Sequence, residues 1–279
     1  MSLENTIREG SKILRDHNIR SHTLDAEVIL SNIMGVTREF LLVNNNLNLS
    51  NEIKFKYKNA ILRRVKNEPV AYIIEAKEFW SKNFNVNRST LVPRPETELM
   101  LYEIIALFKS KSINILDIGT GSGCILISIL KELKKSRGIG IDISAEAIKV
   151  AKLNSKKHNL HNRIKFKCFD LNSFFIGKYD LIVSNPPYIL TRDLKNLGQE
   201  IKNYEPLIAL DGGIDGLDVI KKIIYKSKSL LKENGILAIE IGYGQYPNVS
   251  CILENQGLRI INKVCDNNKN VRCIISTKR

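Results

Sequence analysis

The sequence predicts an α/β protein whose larger part is a doubly wound parallel sheet, and three observations support this prediction. From Ile113 onward, short apolar runs alternate with helical stretches, as in successive strand and helix units. The first apolar run ends in a glycine-rich turn that opens a helix, Gly119–Gly123. The fourth run ends in Asn185-Pro186-Pro187-Tyr188, where two prolines force the chain out of the sheet. Open α/β sheets bind ligands at these carboxyl ends of strands.

Composition restricts the classes of protein to consider. The chain has 279 residues, 43% of them hydrophobic, which is typical of a globular protein with one large or two unequal domains. No apolar run approaches the roughly 18 residues of a membrane span, and the polar N-terminus lacks a signal-peptide core. Five scattered cysteines without a C-x-x-C pair are typical of reduced thiols. We therefore expect a cytoplasmic protein. Its formal net charge of +14 is spread along the chain and indicates polyanion binding only weakly.

Three segments follow from the pattern of apolar residues. Residues 1–75 have helical spacing, with Gly35 at a helix end and Ser50 at a helix start. Residues 76–95 read as a hairpin or extended connector, and residues 96–279 as the α/β domain. The predicted strands are Ile113–Ile118, Gly138–Asp142, Ile164–Phe169, Tyr179–Ser184 and Ile236–Ile241, with two more around Leu258–Ile261 and Arg272–Ile275. The predicted helices between them are Cys124–Leu133, Ala145–Asn154 and Leu217–Leu231.

The glycine turn and the next strand end predict a nucleoside site. Glycines at 119, 121 and 123 let the backbone take positive φ and approach a ligand closely. A dinucleotide fingerprint needs Gly or Ala where this chain has Cys124, which argues against a nicotinamide enzyme. Asp142 ends the second strand, where a carboxylate can accept hydrogen bonds from ribose hydroxyls. The alternative is an aspartate whose hydrogen bonds are satisfied locally, before a helix.

The Asn-Pro-Pro-Tyr turn predicts a holder for a planar NH2 group. It presents the amide of Asn185, unpaired backbone carbonyls and the aromatic face of Tyr188 on a stiff backbone. The alternative is an ordinary proline turn with a buried tyrosine. Read together with the nucleoside site, the turn favours methyl transfer from S-adenosylmethionine to nitrogen.

These motifs resemble those of a known family. Asp117–Gly123, Asp142 and Asn185–Tyr188 are similar to the motifs of class I methyltransferases that act on planar nitrogen. Further segments are similar to bacterial peptide chain release factor glutamine methyltransferases of the HemK/PrmC type, and the similarity covers nearly the whole chain. These segments are Asp25–Glu27, Ala71-Tyr72, Glu78–Trp80, Leu91–Glu98 and Tyr204–Leu210.

The resemblance implies a fold and an activity. The fold would be a Rossmann-like, mostly parallel seven-stranded sheet preceded by a small helical domain that docks the partner protein. The activity would be methylation of the glutamine amide nitrogen in the Gly-Gly-Gln motif of class 1 release factors, with S-adenosylmethionine as donor. Positioning of the amide would dominate catalysis, and neither a metal nor a strong general base is expected. His158 and His161 lack an acidic partner that would make a metal motif.

The resemblance also implies roles for individual residues. Leu171 would flank the adenine, where many relatives have tryptophan, and Asp142 would bind the ribose. Asn185 and the Pro186 carbonyl would accept hydrogen bonds from the glutamine amide, beside Pro187, and Tyr188 would pack on its plane. Asn185 would also adjoin the cofactor. The residues expected to contact the methionine part of the cofactor are Gly119, Thr120, Gly121, Ser122 and Gly123.

Other functions remain open at this point. A nucleic-acid adenine or cytosine amino methyltransferase can use a similar turn on a flipped base, although no sizeable target-recognition region is evident. A ribosomal-protein glutamine methyltransferase is related but carries a different segment at Leu91–Glu98. A non-catalytic scaffold would not need both turns. We therefore expect a protein partner rather than direct contact with nucleic acid or a membrane.

Overall fold

The computed structural model describes residues 2–278, which form two compact units. The first contains residues 2–76 together with Gly198–Tyr204, and the second contains Lys77–Leu197 together with residues 205–278. The short segment Gly198–Tyr204 therefore belongs to the first unit, although it follows the fourth strand of the large sheet in sequence. No helix among residues 2–278 is long and apolar enough to cross a membrane.

The first unit is helical, as the apolar spacing predicts. Ser50 starts the fourth helix by accepting a hydrogen bond from the Ile53 amide at 3.3 Å. Gly35 ends the second helix in the left-handed region, with φ of 66°. The helices are α1 (Leu3–Asp16), α2 (His22–Met34), α3 (Arg38–Val43), α4 (Asn51–Val65) and α5 (Val70–Ile73).

A buried arginine joins Gly198–Tyr204 to these helices. The Arg64 guanidinium, 6% exposed, contacts the Asp25 carboxylate at 2.7 Å and the Glu200 carboxylate at 3.1 Å. It also donates to the backbone carbonyl of Glu68 at 3.2 Å. Tyr204 adds a hydrogen bond from its hydroxyl to the Lys66 carbonyl at 2.9 Å. Ion pairing and hydrogen bonding thus hold this segment, which carries no buried apolar residue.

The second unit begins with a hairpin and continues as a seven-stranded sheet, which confirms the predicted fold class. The strands are β1 (Ala76–Phe79), β2 (Lys82–Asn85), β3 (Asn114–Ile118), β4 (Arg137–Asp142), β5 (Ile164–Cys168), β6 (Tyr179–Ser184), β7 (Leu231–Glu240), β8 (Leu258–Cys265) and β9 (Val271–Lys278). The helices that follow α5 are α6 (Glu96–Phe108), α7 (Cys124–Glu132), α8 (Ala145–Lys157), α9 (Gln199–Tyr204, in the first unit), α10 (Asp218–Leu230) and α11 (Tyr246–Asn255).

The sheet has the strand order β5-β4-β3-β6-β7-β9-β8. Strands β3 to β7 are parallel to one another, and β9 is antiparallel to both β7 and β8. The chain leaves β3 toward β4 on one side and returns to β6 on the other. The strand order therefore reverses beside β3, and ligands bind at such a reversal in open α/β sheets.

Both faces of the sheet are covered, which explains the unbroken apolar runs of the central strands. Ile115 and Leu181 pack into one apolar layer with α6, α7 and α8. Leu116 and Ile182, their immediate neighbours in sequence, pack into the other layer with α10 and α11. Successive side chains of a strand point to opposite faces, so each run must be apolar throughout.

Three features differ from the sequence prediction. Strand β7 begins at Leu231 rather than Ile236, because Leu231 pairs with Tyr179 before a register shift. The helix α11 was not predicted, and its Pro247 lies in the first turn, where a missing N–H is tolerated. The loop predicted after Tyr188 contains α9 and the 3₁₀ turns Thr191–Asn196 and Leu207–Ala209.

Candidate active site

A cavity of about 400 Å³ opens at the carboxyl ends of β3, β4 and β6, within the second unit. Its size is in the range of small-molecule and cofactor sites. The lining includes every element that the sequence assigned to ligand binding. The main lining residues are Gly119–Ser122, Asp142, Phe169–Asn172, Asn185 and Pro187, together with Arg94 and Thr97 from the connector and the start of α6.

The glycine turn has the strained backbone that its sequence predicts. Gly119, Gly121 and Gly123 have φ of 71°, 53° and 78°, values that other residues rarely adopt. A Cβ at Gly119 or Gly121 would meet no atom within 4 Å, whereas one at Gly123 would lie 2.9 Å from the Phe166 ring. Gly123 is not among the cavity-lining residues. It allows α7 to pack closely, while the first two glycines border the cavity.

Asp142 makes local hydrogen bonds and also lines the cavity. Its Oδ2 accepts a hydrogen bond from the Gly121 amide at 2.9 Å, and its Oδ1 accepts one from the Ser144 amide at 2.9 Å. The side chain also lines the cavity. A carboxylate offers about four acceptor sites, so the two local bonds leave capacity for a ligand hydroxyl. Burial raises the pKa of Asp142 above its usual range.

Asp117, on β3, binds the glycine turn through a hydrogen bond with Thr120. Its carboxyl group is fully buried, and its Oδ2 accepts a hydrogen bond from the Thr120 hydroxyl at 2.6 Å. No group among residues 2–278 hydrogen-bonds to Oδ1. Burial raises the pKa of Asp117 to about 7. The sequence reasoning included Asp117 only as part of the motif and did not assign it a role.

The wall beyond Asp142 combines apolar side chains with Asp170 and Asn172. Leu171 begins a 3₁₀ turn that Asp170 caps through the Asn172 amide at 2.9 Å. Leu171 borders the cavity together with Phe169 and Ile143. The sequence reasoning missed Phe169 and Ile143, although each lies at or just past a strand end. The leucine is therefore one of several apolar surfaces at this end of the cavity.

Asn185 follows β6 directly and belongs to a buried hydrogen-bond chain. Its Nδ2 donates to the Thr97 hydroxyl at 3.1 Å, and that hydroxyl donates to Glu240 Oε2 at 2.6 Å. The Tyr188 hydroxyl lies 3.4 Å from Glu240 Oε1. Asn185 and Pro187 line the cavity, whereas Pro186 and Tyr188 are not among its lining residues. The Tyr188 ring packs beside the apolar layer formed with α10 and α11.

Glu240 was missed by the sequence reasoning. It ends β7, is 3% exposed, and its burial raises its pKa to about 7. The positive charge of Arg272 on β9 opposes that rise. A lone carboxylate closing an apolar strand at the ligand edge of the sheet was the available signal. The sequence placed Thr97 only within the segment Leu91–Glu98 and assigned it no role of its own.

A second ion pair joins two segments that the resemblance singled out. The Arg94 guanidinium contacts the buried Glu205 carboxylate at 2.6 Å, and Glu205 Oε2 accepts a hydrogen bond from the Val92 amide at 3.3 Å. Arg94, Pro206 and Ile208 line the cavity. The Leu91–Glu98 and Tyr204–Leu210 segments thus meet at its rim.

Histidine and cysteine contribute no metal site in the part of the chain that the structure describes. No three His, Cys, Asp or Glu side chains between residues 2 and 278 are grouped to hold a metal ion. The His158 ring instead lies 3.0 Å from the Asn83 carbonyl and packs on Phe84.

Comparison with known proteins agrees with this geometry. The family described as "PrmC N-terminal domain" matches residues 5–74, and the family described as "Methyltransferase domain" matches residues 109–278. The release factor glutamine methyltransferase of Clostridium acetobutylicum is 36% identical over 261 residues, covering 92% of each chain. That of Caulobacter vibrioides is 35% identical over 267 residues, covering 95% of this chain and 92% of its own.

Solved structures support the fold alone, because their sequences are distant. The catalytic domain of hMettl16, crystallised with an RNA hairpin, superposes with a TM-score of 0.60 at 16% identity over 84% of each chain. A methyltransferase from Pyrococcus furiosus superposes with a TM-score of 0.55 at 16% identity, over 79% of this chain and 98% of its own. The chain is a methyltransferase whose methyl donor is S-adenosylmethionine. Its sequence matches release factor glutamine methyltransferases over nearly the whole chain, including their N-terminal domain. It belongs to the release factor glutamine methyltransferase family.

Proposed function

We propose that this enzyme transfers a methyl group to the side-chain amide nitrogen of the glutamine in the Gly-Gly-Gln motif of class 1 release factors. One observation carries the proposal: Asn185, whose side-chain oxygen can accept a hydrogen bond from an NH2 group, lines the same cavity as the glycine turn and Asp142. The names of the relatives point to the same substrate.

The residues of the cavity fit S-adenosylmethionine. The open space in front of Gly119 and Gly121 lets a ligand approach the backbone. We assign Gly119–Ser122, which line the cavity, to the methionine part and the remaining acceptor capacity of Asp142 to the ribose hydroxyls. Leu171, with Ile143 and Phe169, would cover the adenine through apolar contact. When bound, the cofactor supplies a methyl group that its sulfonium charge has already activated.

The Asn-Pro-Pro-Tyr turn would hold the substrate amide. In our proposal Asn185 Oδ1 and the Pro186 carbonyl accept hydrogen bonds from the glutamine NH2, and Pro187 and Tyr188 border its plane. An amide nitrogen is a weak nucleophile because its lone pair is delocalised. Alignment of the reacting atoms can contribute about 7–11 kcal/mol. Acceptors aimed at the nitrogen also stabilise the positive charge that develops on it.

The reaction does not require a strong base at its start, because the amide becomes acidic only as nitrogen gains the methyl group. The nitrogen then gives up one of its two protons to solvent water. Glu240 is separated from Asn185 by Thr97, so we assign it no direct role in proton transfer.

The first unit would dock the protein substrate in this proposal. It is the part of the chain that matches the family's own N-terminal domain, at residues 5–74. An enzyme acting on release factors works where translation occurs, so the proposal retains the cytoplasmic location expected from the sequence.

A methyl-transfer assay tests the substrate assignment directly. Radiolabelled cofactor is supplied with purified release factor, ribosomal proteins and DNA in parallel reactions. We expect label on release factor only, and none when its Gly-Gly-Gln glutamine is replaced by alanine. Preferred labelling of DNA would instead support the amino methyltransferase of nucleic acid, which uses a similar turn. Preferred labelling of a ribosomal protein would move the assignment to the related glutamine methyltransferases.

A further inference from the structure

We propose that Glu240 is a positioning residue that fixes, through Thr97, which end of the Asn185 carboxamide points into the cavity. This inference rests on the proposed function and deepens it, because it explains how the amide-binding group is oriented. Neither the motif that contains Asn185 nor the chemistry of the turn indicates the need for a residue on β7.

The direction of the hydrogen-bond chain follows from proton counting. An ionised carboxylate only accepts, so the 2.6 Å contact between Thr97 Oγ1 and Glu240 Oε2 uses the single proton of the hydroxyl. The same hydroxyl oxygen can then only accept from Asn185. The group at 3.1 Å from it must therefore be the Asn185 NH2.

The consequence is a carboxamide with one allowed orientation. With Nδ2 bound to Thr97, the Asn185 oxygen is directed to the opposite side, toward the cavity that the residue lines. Among residues 2–278 no group donates to that oxygen, and it is not buried. An acceptor is needed there, because the NH2 of a substrate amide can only donate in the plane of its hydrogens. A flipped Asn185 would present NH2 against NH2.

Glu240 is placed to hold both ends of the turn. Its second oxygen lies 3.4 Å from the Tyr188 hydroxyl, three residues after Asn185. Glu240 itself is held by strand pairing of β7 with β6 and β9. Hydrogen bonds to a residue of the sheet therefore fix the position of the turn. Accurate positioning of a binding group requires support of this kind.

A matched pair of variants separates the hydroxyl from the shape of residue 97. Thr97→Val keeps the shape and removes the hydroxyl, whereas Thr97→Ser keeps the hydroxyl. For Thr97→Val we expect kcat to fall about 10- to 100-fold at saturating cofactor. Thr97→Ser should stay within about threefold of the unaltered enzyme. Equal kcat for the two variants would overturn the proposal, as would a loss confined to the KM for cofactor.

A double variant shows whether Thr97 acts through Asn185. If it does, adding Thr97→Val to Asn185→Ala should lower kcat no further, because the group to be oriented is already gone. Multiplied losses would mean that Thr97 acts on the cofactor or the fold, and would contradict the positioning role.

A spectroscopic measurement without any substrate separates this inference from the substrate assignment. The side-chain ¹⁵NH2 signal of Asn185 is identified by its disappearance in Asn185→Ala. We expect it to shift in Thr97→Val and in Glu240→Gln but not in Thr97→Ser. An unmoved signal would refute the chain of hydrogen bonds, whatever the enzyme methylates. A shifted signal in an enzyme that ignores release factor would refute the proposed function alone.

Discussion

At the scale of single residues, our proposal distinguishes side chains that would contact ligands from side chains that would support them. Asn185 and Asp142 line the cavity and retain acceptor capacity, whereas Thr97 and Glu240 use theirs on other protein groups. Substitutions in these two sets of side chains should therefore change the kinetics in different ways. Three substitutions test this expectation.

Replacing Asn185 should affect the rate more than cofactor binding. Asn185→Ala removes the acceptor for the substrate amide and leaves Gly119–Gly123 and Asp142 intact. We expect kcat to fall by about 100-fold, the usual effect of losing one preorganised polar contact to the reacting group. Single-turnover methylation and cofactor calorimetry measure the two effects separately. Turnover close to that of the unaltered enzyme would remove Asn185 from the amide-binding role.

Replacing Asp142 should have the opposite signature. Loss of hydrogen bonds from a charged acceptor weakens binding by about 1.5–3 kcal/mol, so Asp142→Ala should bind cofactor about 10- to 100-fold more weakly. Asp142→Asn is the intermediate case, because its single oxygen can accept from the Gly121 amide or from the Ser144 amide, but its NH2 cannot accept from the other. Calorimetry reads both, and unchanged affinity in Asp142→Ala would contradict the ribose assignment.

The third prediction concerns pH and Glu240. Burial raises the pKa of Glu240 to about 7, and its surroundings include Arg272 and Cys273 of β9, Glu96 of α6, and Tyr188. Below about pH 7 the protonated carboxyl can donate to Thr97 and release the orientation of Asn185. We therefore expect kcat to fall as pH decreases through about 7, with this step absent in Glu240→Gln. A step that persists in the variant would assign it to another group, such as Asp117.

The direction in which Glu240→Gln changes the folding stability can also be predicted. The folded-state pKa of Glu240, about 7, lies above its ordinary value of 4.5. Ionisation therefore costs the folded state stability as pH rises between these values, by up to about 3 kcal/mol. At pH 8, Glu240→Gln should be at least as stable as the unaltered enzyme while turning over more slowly. A large drop in stability at pH 8 would indicate a purely structural glutamate.

At the scale of elements, the glycine turn shows two separate reasons for glycine. Gly119 and Gly121 need positive φ beside open space, and Gly123 needs positive φ beside a packed ring. The turn connects β3 to α7, so its shape determines how closely that helix lies on the sheet. Gly119 and Gly121 thus leave open space at the cavity, whereas Gly123 allows close packing of the helix.

Because Gly123 is crowded by its neighbours, Gly123→Ala should lower the free energy of unfolding more than a glycine-to-alanine change at an open position. Gly257→Ala is the matched control, because Gly257 has φ of 76° and open space around its Cβ position, whereas Gly123 has φ of 78° and the Phe166 ring at 2.9 Å. We expect Gly257→Ala to lose about 1 kcal/mol from backbone strain, and Gly123→Ala to lose roughly 1–3 kcal/mol more from overpacking. Denaturant unfolding without cofactor measures both. Equal losses would show that the helix moves freely to accept the methyl group.

At the scale of the whole molecule, the two units divide the work of the proposed reaction. The second contains the complete cavity, and the first matches the family's N-terminal domain. The first unit also includes Gly198–Tyr204, which leaves the sheet after the Asn-Pro-Pro-Tyr turn and returns before Glu205. Arg64, which is buried, links that segment to the helices of the first unit.

Removing Arg64 should destabilise the first unit strongly. Its side chain and that of Asp25 are 6% and 9% exposed, so Arg64→Met leaves a buried carboxylate without its partner. We expect a loss of about 3–5 kcal/mol. Lys56→Met on the same helix breaks an exposed pair with Glu52 and should cost far less, because solvent screens that pair. Thermal unfolding measures the stability that each variant loses. Similar losses would mean that the buried Arg64 ion pairs stabilise the unit no more than an exposed pair does.

Much of the architecture could be predicted because its causes are local. The spacing of apolar residues, the positive φ required at Gly119–Gly123 and the prolines after Ser184 act over a few neighbouring residues. They were sufficient to place strands, turns and the edge where ligands bind. The start of β7 and the helix α11 could not be predicted in the same way, because pairing with Tyr179 and packing against the sheet decide them.

The candidate site was predictable to the same extent and for the same reason. By itself the sequence determined the fold class, the family and the two turns that line the cavity, since each depends on residues adjacent in the chain. Only the tertiary structure decided that Glu240 supports Asn185 through Thr97, a contact that joins residues 143 positions apart in sequence. Strand order and helix packing bring these groups within hydrogen-bonding distance, and no local pattern encodes which distant side chains will meet.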